Sequence, residues 1–396
     1  MPRTVHFNIQ EHIISGCHVR QYPGLTSGRQ EEDMRLHVKQ YTPRNQPLES
    51  SDAVTLIAMQ GIGFPKELYE PLWDHLHHHS RSHGYCIRSI WMADMAPQGI
   101  SGILNEKNMS MDNSWEDHTR DVFHMINHFR NEMPRPLVGV GHSCGGLQMA
   151  NLAHIHPRLF TTVILMDPAF LVNEKGEIIY PEKAIRDITH GKDLWRTRAE
   201  AAAFVEKTYP AWDQRVKRRM IQYGFRDLPT ALYPELPPEA DVADPPVTLT
   251  TTKHQMAMML VRPCFDGLDH VDAKRRTNKS FHRPEVVPSA ERMKTLRPPT
   301  LFLLGRHTNR RWLEAIRRTA DATGLGVGGS GGKPEGRVRE VMVRAGHAFP
   351  FTAVGETGLA CSAWLGEEMG TDHLVLPLKW KEMFRPRDDE AARSRL

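Results

Sequence analysis

Short apolar runs alternate along the chain with longer amphipathic stretches. Ala53–Met59 (AVTLIAM), Cys86–Met92 (CIRSIWM), Leu137–Gly141, Thr162–Met166 (TVILM) and Thr300–Leu304 (TLFLL) are rich in Val, Ile and Leu. Runs of five to seven mainly apolar residues are the pattern of strands buried on both faces. Arg337–Arg344 (RVREVMVR) alternates and predicts a last, half-covered strand. Between the runs, Leu68–Ser80 carries Leu68, Leu72, Trp73 and Leu76 on one helical face. Trp115–Phe129 carries Val122, Phe123, Ile126 and Phe129 behind a cap at Asn113 or Ser114. Helices are also predicted through Leu147, Ala150, Leu152 and Ala153, over Arg311–Thr323, and over Gly355–Met369. Strands alternating with helices predict an α/β class with a mostly parallel, doubly wound sheet. Two candidate edge strands, Thr4–Ile9 and Met34–Tyr41, precede it around a polar turn at Gly24–Arg29.

Residues 171–297 break the alternation. Helices are expected at Ala199–Tyr209, Trp212–Tyr223 and the Met-rich Thr250–Val261, separated by prolines at 234–238 and 245–246. The expected organisation is a core of residues 1–170 and 298–384, a helical cap of residues 171–297, and an exposed tail of residues 385–396. The cap methionines are expected mainly in its core, with some lining an adaptable apolar pocket. The glycine-rich Gly324–Gly336 is expected to be a mobile surface loop. It lacks the Lys-Ser/Thr and following helix of a phosphate cradle.

With 396 residues, 40% hydrophobic and 25% charged, the composition is that of a globular chain. The net charge of +4 is spread out, so no nucleic-acid partner is expected. Five cysteines, odd in number and without a Cys-x-x-Cys, suit free thiols. The histidines His75, His77, His78, His79 and His83 lack a complementary ligand set, so they are read as a solvated face; neither metal nor cofactor is expected. No apolar stretch is long enough to span a bilayer, and no secretory h-region opens the chain. Ser394-Arg395-Leu396 is a conservative variant of the peroxisomal Ser-Lys-Leu address, so a peroxisomal location and an import-receptor partner are expected.

The chemistry centres on Gly141-His142-Ser143-Cys144-Gly145, a G-x-S-x-G between a predicted strand and a predicted helix. That context is required of a nucleophile elbow, in which the serine sits on a strained turn and the glycines remove clashing side chains. Gln60-Gly61-Ile62-Gly63-Phe64 follows an earlier strand. An oxyanion-stabilising N–H is placed at Ile62, Gly63 or Phe64, with Cys144 supplying the other. His347 follows the last core strand behind a glycine and is the candidate base. The acid is open: Asp167 ends the TVILM strand, whereas Gly305–Arg311 holds no carboxylate, leaving Asn309 and the more distant Glu314 as rivals. The order Ser143, Asp167, His347 is the order of the α/β-hydrolase fold. A carboxylate nucleophile, which dehalogenases and epoxide hydrolases need, is absent at position 143.

Several segments together carry a resemblance: GFPKELYEPLWD (63–74), APQGISGILNE (96–106), WEDHTRDVFHMINHF (115–129), GHSCGG (141–146), LMDPA (165–169) and GHAFPF (346–351). The chain resembles fungal peroxisomal α/β-hydrolases, a family that includes the yeast peroxisomal lipase and hydrolases of host-selective toxin biosynthesis. The resemblance departs at Gln60-Gly61-Ile62, where the family more usually has His-Ala-Asn. It implies an α/β-hydrolase fold, peroxisomal residence and a role in secondary metabolism. It carries Ser143 and His347 over as nucleophile and base, and an acidic residue often stands where Asp167 does. The expected activity is hydrolysis of a small-molecule acyl ester or a CoA thioester through an acyl-enzyme. Acyl transfer, C–C bond hydrolysis or a lyase reaction on the same scaffold, and a non-catalytic binding protein, are the alternatives.

Overall fold

A computed structural model describes residues 6–29, 31–44, 53–264 and 281–370. The predicted tail and its Ser394-Arg395-Leu396 lie outside the described residues.

The apolar runs become the centre of an eight-stranded sheet. In chain order its strands are β1 (Phe7–Ser15), β2 (Arg35–Pro43), β3 (Ala53–Met59), β4 (Cys86–Ala93), β5 (Leu137–His142) and β6 (Thr162–Met166), with β12 (Thr300–Gly305) and β13 (Val338–Val343) after an insertion. The spatial order is β1-β2-β4-β3-β5-β6-β12-β13. From β4 to β13 neighbouring strands are parallel, while β1 and β2 are antiparallel at one edge. Every residue of β3, β5, β6 and β12 is buried. Consecutive side chains leave the sheet on opposite faces, as Leu56 and Ile57 or Leu303 and Leu304 do, and each face has its own apolar core. One face is covered by α1 (Glu70–Ser80) and α12 (Val354–Gly370), with Trp73 and Trp364 inside. The other is covered by α3 (Trp115–His128) and α4 (Cys144–Ile155). Ser114 caps α3 by accepting from the Glu116 N–H.

Parallel register aligns the carboxyl ends. Met59 pairs with Gly141, His142 with Met166, Met166 with Leu303, and Gly305 with Val343. The loops that follow, carrying Gln60, Ser143, Asp167, Thr308 and His347, therefore meet along one rim, where ligands of such sheets bind.

Several expectations need correction. Of the expected strand Thr4–Ile9, Thr4 and Val5 lie outside the described residues; the first described strand runs on to Ser15 (Phe7–Ser15), and its polar centre, Gln10 to His12, hides that extension, because an edge strand is wet on one side. After β4 stands a helix that no expectation covered, α2 (Gly99–Asn105), pinned by Asn105 Nδ2 to the carbonyls of Arg35 and Ala96. The insertion is not all helical. Between α5 (Glu182–Thr189), α6 (Arg198–Thr208), α7 (Gln214–Tyr223), α8 (Lys253–Leu260) and α9 (Val286–Arg292) stand a small sheet and a short pair. The sheet is β7 (Leu194–Trp195), β9 (Val247–Leu249) and β8 (Phe225–Asp227), and the pair is β10 (Arg262–Pro263) with β11 (Phe281–His282). Strands of two or three residues are too short to show a period. The glycine-rich loop is tied down: Gly324 and Gly326 N–H groups donate to the Met293 and Lys294 carbonyls, and Ser330 N–H to Leu296. The histidine face is partly packed, with the His77 ring 5.4 Å from Phe7 and His75 Nε2 3.0 Å from Arg215. Among the described residues no His/Cys/Asp/Glu group could hold a metal, and no helix is long and apolar enough to cross a membrane.

Candidate active site

Ser143 joins β5 to α4 at φ 56° and ψ −120°, a backbone region that a side chain rarely adopts. The strain persists because its surroundings over-determine it. Its N–H donates to Met166 O at 2.9 Å, and its carbonyl accepts from Ala169 N–H at 2.9 Å. The flanking glycines are required by close approach. A Cβ at Gly141 would lie 2.4 Å from Gly145 O, and one at Gly145 2.4 Å from Met59 O.

His347, in the turn after β13, reaches Ser143 Oγ with Nε2 at 3.0 Å and Asp167 Oδ2 with Nδ1 at 3.2 Å. The Asp167 side chain is fully buried, whereas that of His347 is 30% exposed, which leaves its reacting edge open to a substrate. Asp167 Oδ1 accepts from Gly305 N–H at 3.0 Å, and Oδ2 from the Thr308 hydroxyl. The loop after β12 thus hydrogen-bonds Asp167, the candidate acid, through Gly305 and Thr308. Asn309 is spent as the cap of α10 (Arg310–Ala322), accepting from the Arg311 and Trp312 N–H groups. Glu314 is exposed and pairs with Arg310 at 2.8 Å. Of the three candidate acids, Asp167 alone contacts His347.

The oxyanion loop narrows the expected donors. Gly63 N–H is taken by Gln98 Oε1 at 2.7 Å, and Phe64 N–H by Gly61 O at 3.4 Å. The Gly63 and Phe64 N–H groups thus already have acceptors. The N–H groups of Ile62 and Cys144 have no partner among the described residues, and both residues line the cavity beside Ser143. Burial pushes the Cys144 thiol well above its ordinary pKa, so it remains a thiol beside the serine.

Sequence reasoning missed the groups that fix this loop. Tyr69 hydroxyl accepts from Gly61 N–H at 3.0 Å and contacts His142 Nδ1 at 2.7 Å. His142 Nε2 lies 2.9 Å from the His347 carbonyl. A carbonyl only accepts, so Nε2 carries the proton and Nδ1 accepts from Tyr69. Burial, and then the charge of His347, holds the His142 pKa at about 3, which keeps this ring neutral. Behind it Lys66 donates to Asp94 at 2.6 Å, and Lys39 contacts Glu67 at 3.0 Å. The clue was in Lys66-Glu67-Leu68-Tyr69-Glu70: polar residues that belong to an apolar environment only when paired with one another.

Above Ser143 lies a cavity of about 220 Å³. Leu171, Ile178, Ile179, Ala184 and Ile188 of the insertion wall it, facing Trp312 and Ile316 of α10. Among the described residues no methionine lines it; α8 and the residue after it contribute Leu260 and Val261. Among the described residues one Lys or Arg, Arg283, reaches the wall, but it is buried and bound to the carbonyls of Asn113, Met258 and Met259.

The model of the serine aminopeptidase S33 family matches residues 86–210. A protein of Penicillium roqueforti, "Type I acyl-CoA thioesterase mpaH", is 40% identical over 96% of both chains. Its namesake from Penicillium brevicompactum is 39% identical over 97% of this chain and 96% of its own. An Alternaria alternata abhydrolase domain-containing protein, ACTT2-1, is 26% identical over 60% of this chain and 85% of its own. The crystal structure of the Saccharomyces cerevisiae peroxisomal alpha-beta-hydrolase Lpx1 superposes with a TM-score of 0.70 at 15% identity, covering 98% of this chain and 96% of the other. Sheet topology, the elbow at Ser143 and a 40% identity that spans nearly both whole chains make this protein a member of the α/β-hydrolase family, alongside those fungal relatives.

Proposed function

We propose that the protein is a serine thioesterase that hydrolyses an acyl-CoA through an acyl-enzyme. One observation carries the reading: the unbroken contact line Asp167–His347–Ser143 opens into an apolar cavity, in a chain 40% identical to proteins named as acyl-CoA thioesterases. His347 Nε2 takes the Ser143 proton as Oγ attacks the thioester carbonyl. The developing oxyanion is held by the Ile62 and Cys144 N–H groups, which need no reorganisation. The intermediate collapses, the C–S bond breaks, and His347 returns the proton to the departing CoA sulfur. Water then attacks the acyl-serine with His347 as base, releasing a carboxylic acid and restoring Ser143. Asp167, already fixed by Gly305 and Thr308, orients the imidazole and stabilises its cation. Residues 171–297 serve as the cap, since Leu171 to Ile188 close the cavity over the serine. We place the enzyme in the peroxisome on Ser394-Arg395-Leu396, and in fungal secondary metabolism on the resemblance of its motifs.

The test is a panel of acyl-CoAs and matched oxygen esters on the purified protein, following free thiol and free acid. Equimolar thiol and acid from at least one acyl-CoA, with kcat/KM above that of its oxygen ester, is expected. Thiol without acid identifies acyl transfer, and turnover of oxygen esters alone overturns the thioesterase reading.

A further inference from the structure

We propose that Arg306, Arg310 and Arg311 form a binding site for the phosphates of the CoA nucleotide at the mouth of the cavity. This rests on the acyl-CoA reading above and assigns the half of the substrate that the cavity does not take. The cavity wall is mostly apolar, and its one Lys or Arg among the described residues, Arg283, already binds three backbone carbonyls, so a multiply charged nucleotide has no place inside. It must remain at the rim.

The rim next to the catalytic groups is basic. Arg306 follows Gly305, whose N–H binds Asp167. Arg310 and Arg311 precede Trp312, which walls the cavity and stands with its ring centroid 5.7 Å from that of His347. Each arginine is within three residues of Thr308, itself bonded to Asp167, so each Cα lies within ~11 Å of it at ~3.8 Å per residue. Arg306, His307, Arg310 and Arg311 are all exposed. Arg306 and Arg311 have no acidic partner among the described residues, and Arg310 has only the exposed Glu314. In a chain of net charge +4 this is a local concentration of positive charge.

Its position also runs against local helix energetics. The N-terminal end of a helix is its positive end, where acidic side chains are favoured and basic ones are not. α1, α3, α5, α6 and α12 carry Glu70, Glu116, Glu182, Glu200 and Glu356 in their first turns, while α2, α4, α7, α8 and α9 have no acid there. α10 begins with Arg310-Arg311 and has no acid there. A 3′-phosphate and a diphosphate beside these guanidiniums would remove the repulsion and gain bidentate contacts.

The experiment compares wild type with an Arg306→Ala/Arg311→Ala double variant. Substrates are one acyl chain as its CoA thioester and as its N-acetylcysteamine thioester, which lacks the nucleotide. The KM for acyl-CoA should rise at least tenfold with kcat within twofold, while the KM for the short thioester stays within twofold. Calorimetry with 3′,5′-ADP should show binding to wild type that the variant loses, and the thermal midpoint of the variant should not fall. Equal acyl-CoA KM in the two proteins, or no binding of 3′,5′-ADP to wild type, overturns the site. Hydrolysis of the short thioester without any hydrolysis of acyl-CoA contradicts the acyl-CoA reading itself. In that event the calorimetry still decides the site.

Discussion

Asp167 shows at the scale of one residue what position alone cannot reveal. The strand-end rule placed Ser143, Asp167 and His347 on one rim, and their chain order made them candidates together. The choice among Asp167, Asn309 and Glu314 needed coordinates, because it turns on which oxygen reaches His347 Nδ1. Asp167→Asn should lower kcat roughly 10³- to 10⁴-fold, since the imidazole is then held in the wrong tautomer. Asn309→Ala should cost about 1 kcal/mol of stability as a lost helix cap, with little effect on rate. Glu314→Gln should change neither; steady-state kinetics and thermal melts of the three variants give the ranking. Tyr69 was illegible because a tyrosine in an amphipathic stretch looks like core, and its hydroxyl meets His142 and Gly61 only after folding. Tyr69→Phe unties the oxyanion loop from His142. It should lower kcat roughly ten- to a hundredfold with KM nearly unchanged, because a misplaced donor acts on the transition state. Equal losses in kcat and in thermal stability of an otherwise normal site would make Tyr69 a packing residue only.

Elements were legible in proportion to how much of their pattern was local. β3, β5, β6 and β12 are buried on both faces and announced themselves as apolar runs. The small strands of the insertion and α2 did not, because long-range contacts hold them; Asn105 ties α2 to β2 across 70 residues of sequence. The glycines of Gly324–Gly336 suggested slack, yet backbone N–H groups there find fixed carbonyl partners. The elbow is the element with the least tolerance. Its helix α4 sits so close to β3 that a Gly145 Cβ would meet Met59 O at 2.4 Å and Gln60 O at 2.6 Å. Gly145→Ala must push α4 from β3, at ~1–3 kcal/mol of overpacking. Activity should fall with it, as Ser143 and the Cys144 N–H ride on that turn. A variant with wild-type melting temperature and rate would show that the turn relaxes freely.

Across the whole molecule, polar groups buried as neutral species set the response to acid. Burial above all lowers His37, His118 and His154 to about 4 and His142 to about 3, from 6.5. Unfolding restores the ordinary value, so below about pH 6.5 the unfolded chain takes up protons that the folded chain refuses. Their contribution is complete above that pH and is lost as pH falls toward 4. Burial raises Asp94 and Asp117 to about 6, from 3.8, and these work the other way: between those values the folded chain protonates first and gains stability. Four histidines outweigh two aspartates, so the melting temperature should fall between pH 7 and pH 5, with net proton uptake on unfolding. A level or rising melting temperature would mean that these histidines are solvated. The same assembly of sheet, elbow and insertion yields one functional claim, that acyl groups pass from a thioester to Ser143 and then to water. Rapid quenching of the enzyme with an acyl-CoA, followed by intact and peptide mass spectrometry, tests it directly. An acyl adduct should form on Ser143 in the first turnover and decay to free acid, and Ser143→Ala should carry none and release no thiol. Thiol release by Ser143→Ala at more than a tenth of the wild-type rate would contradict the account.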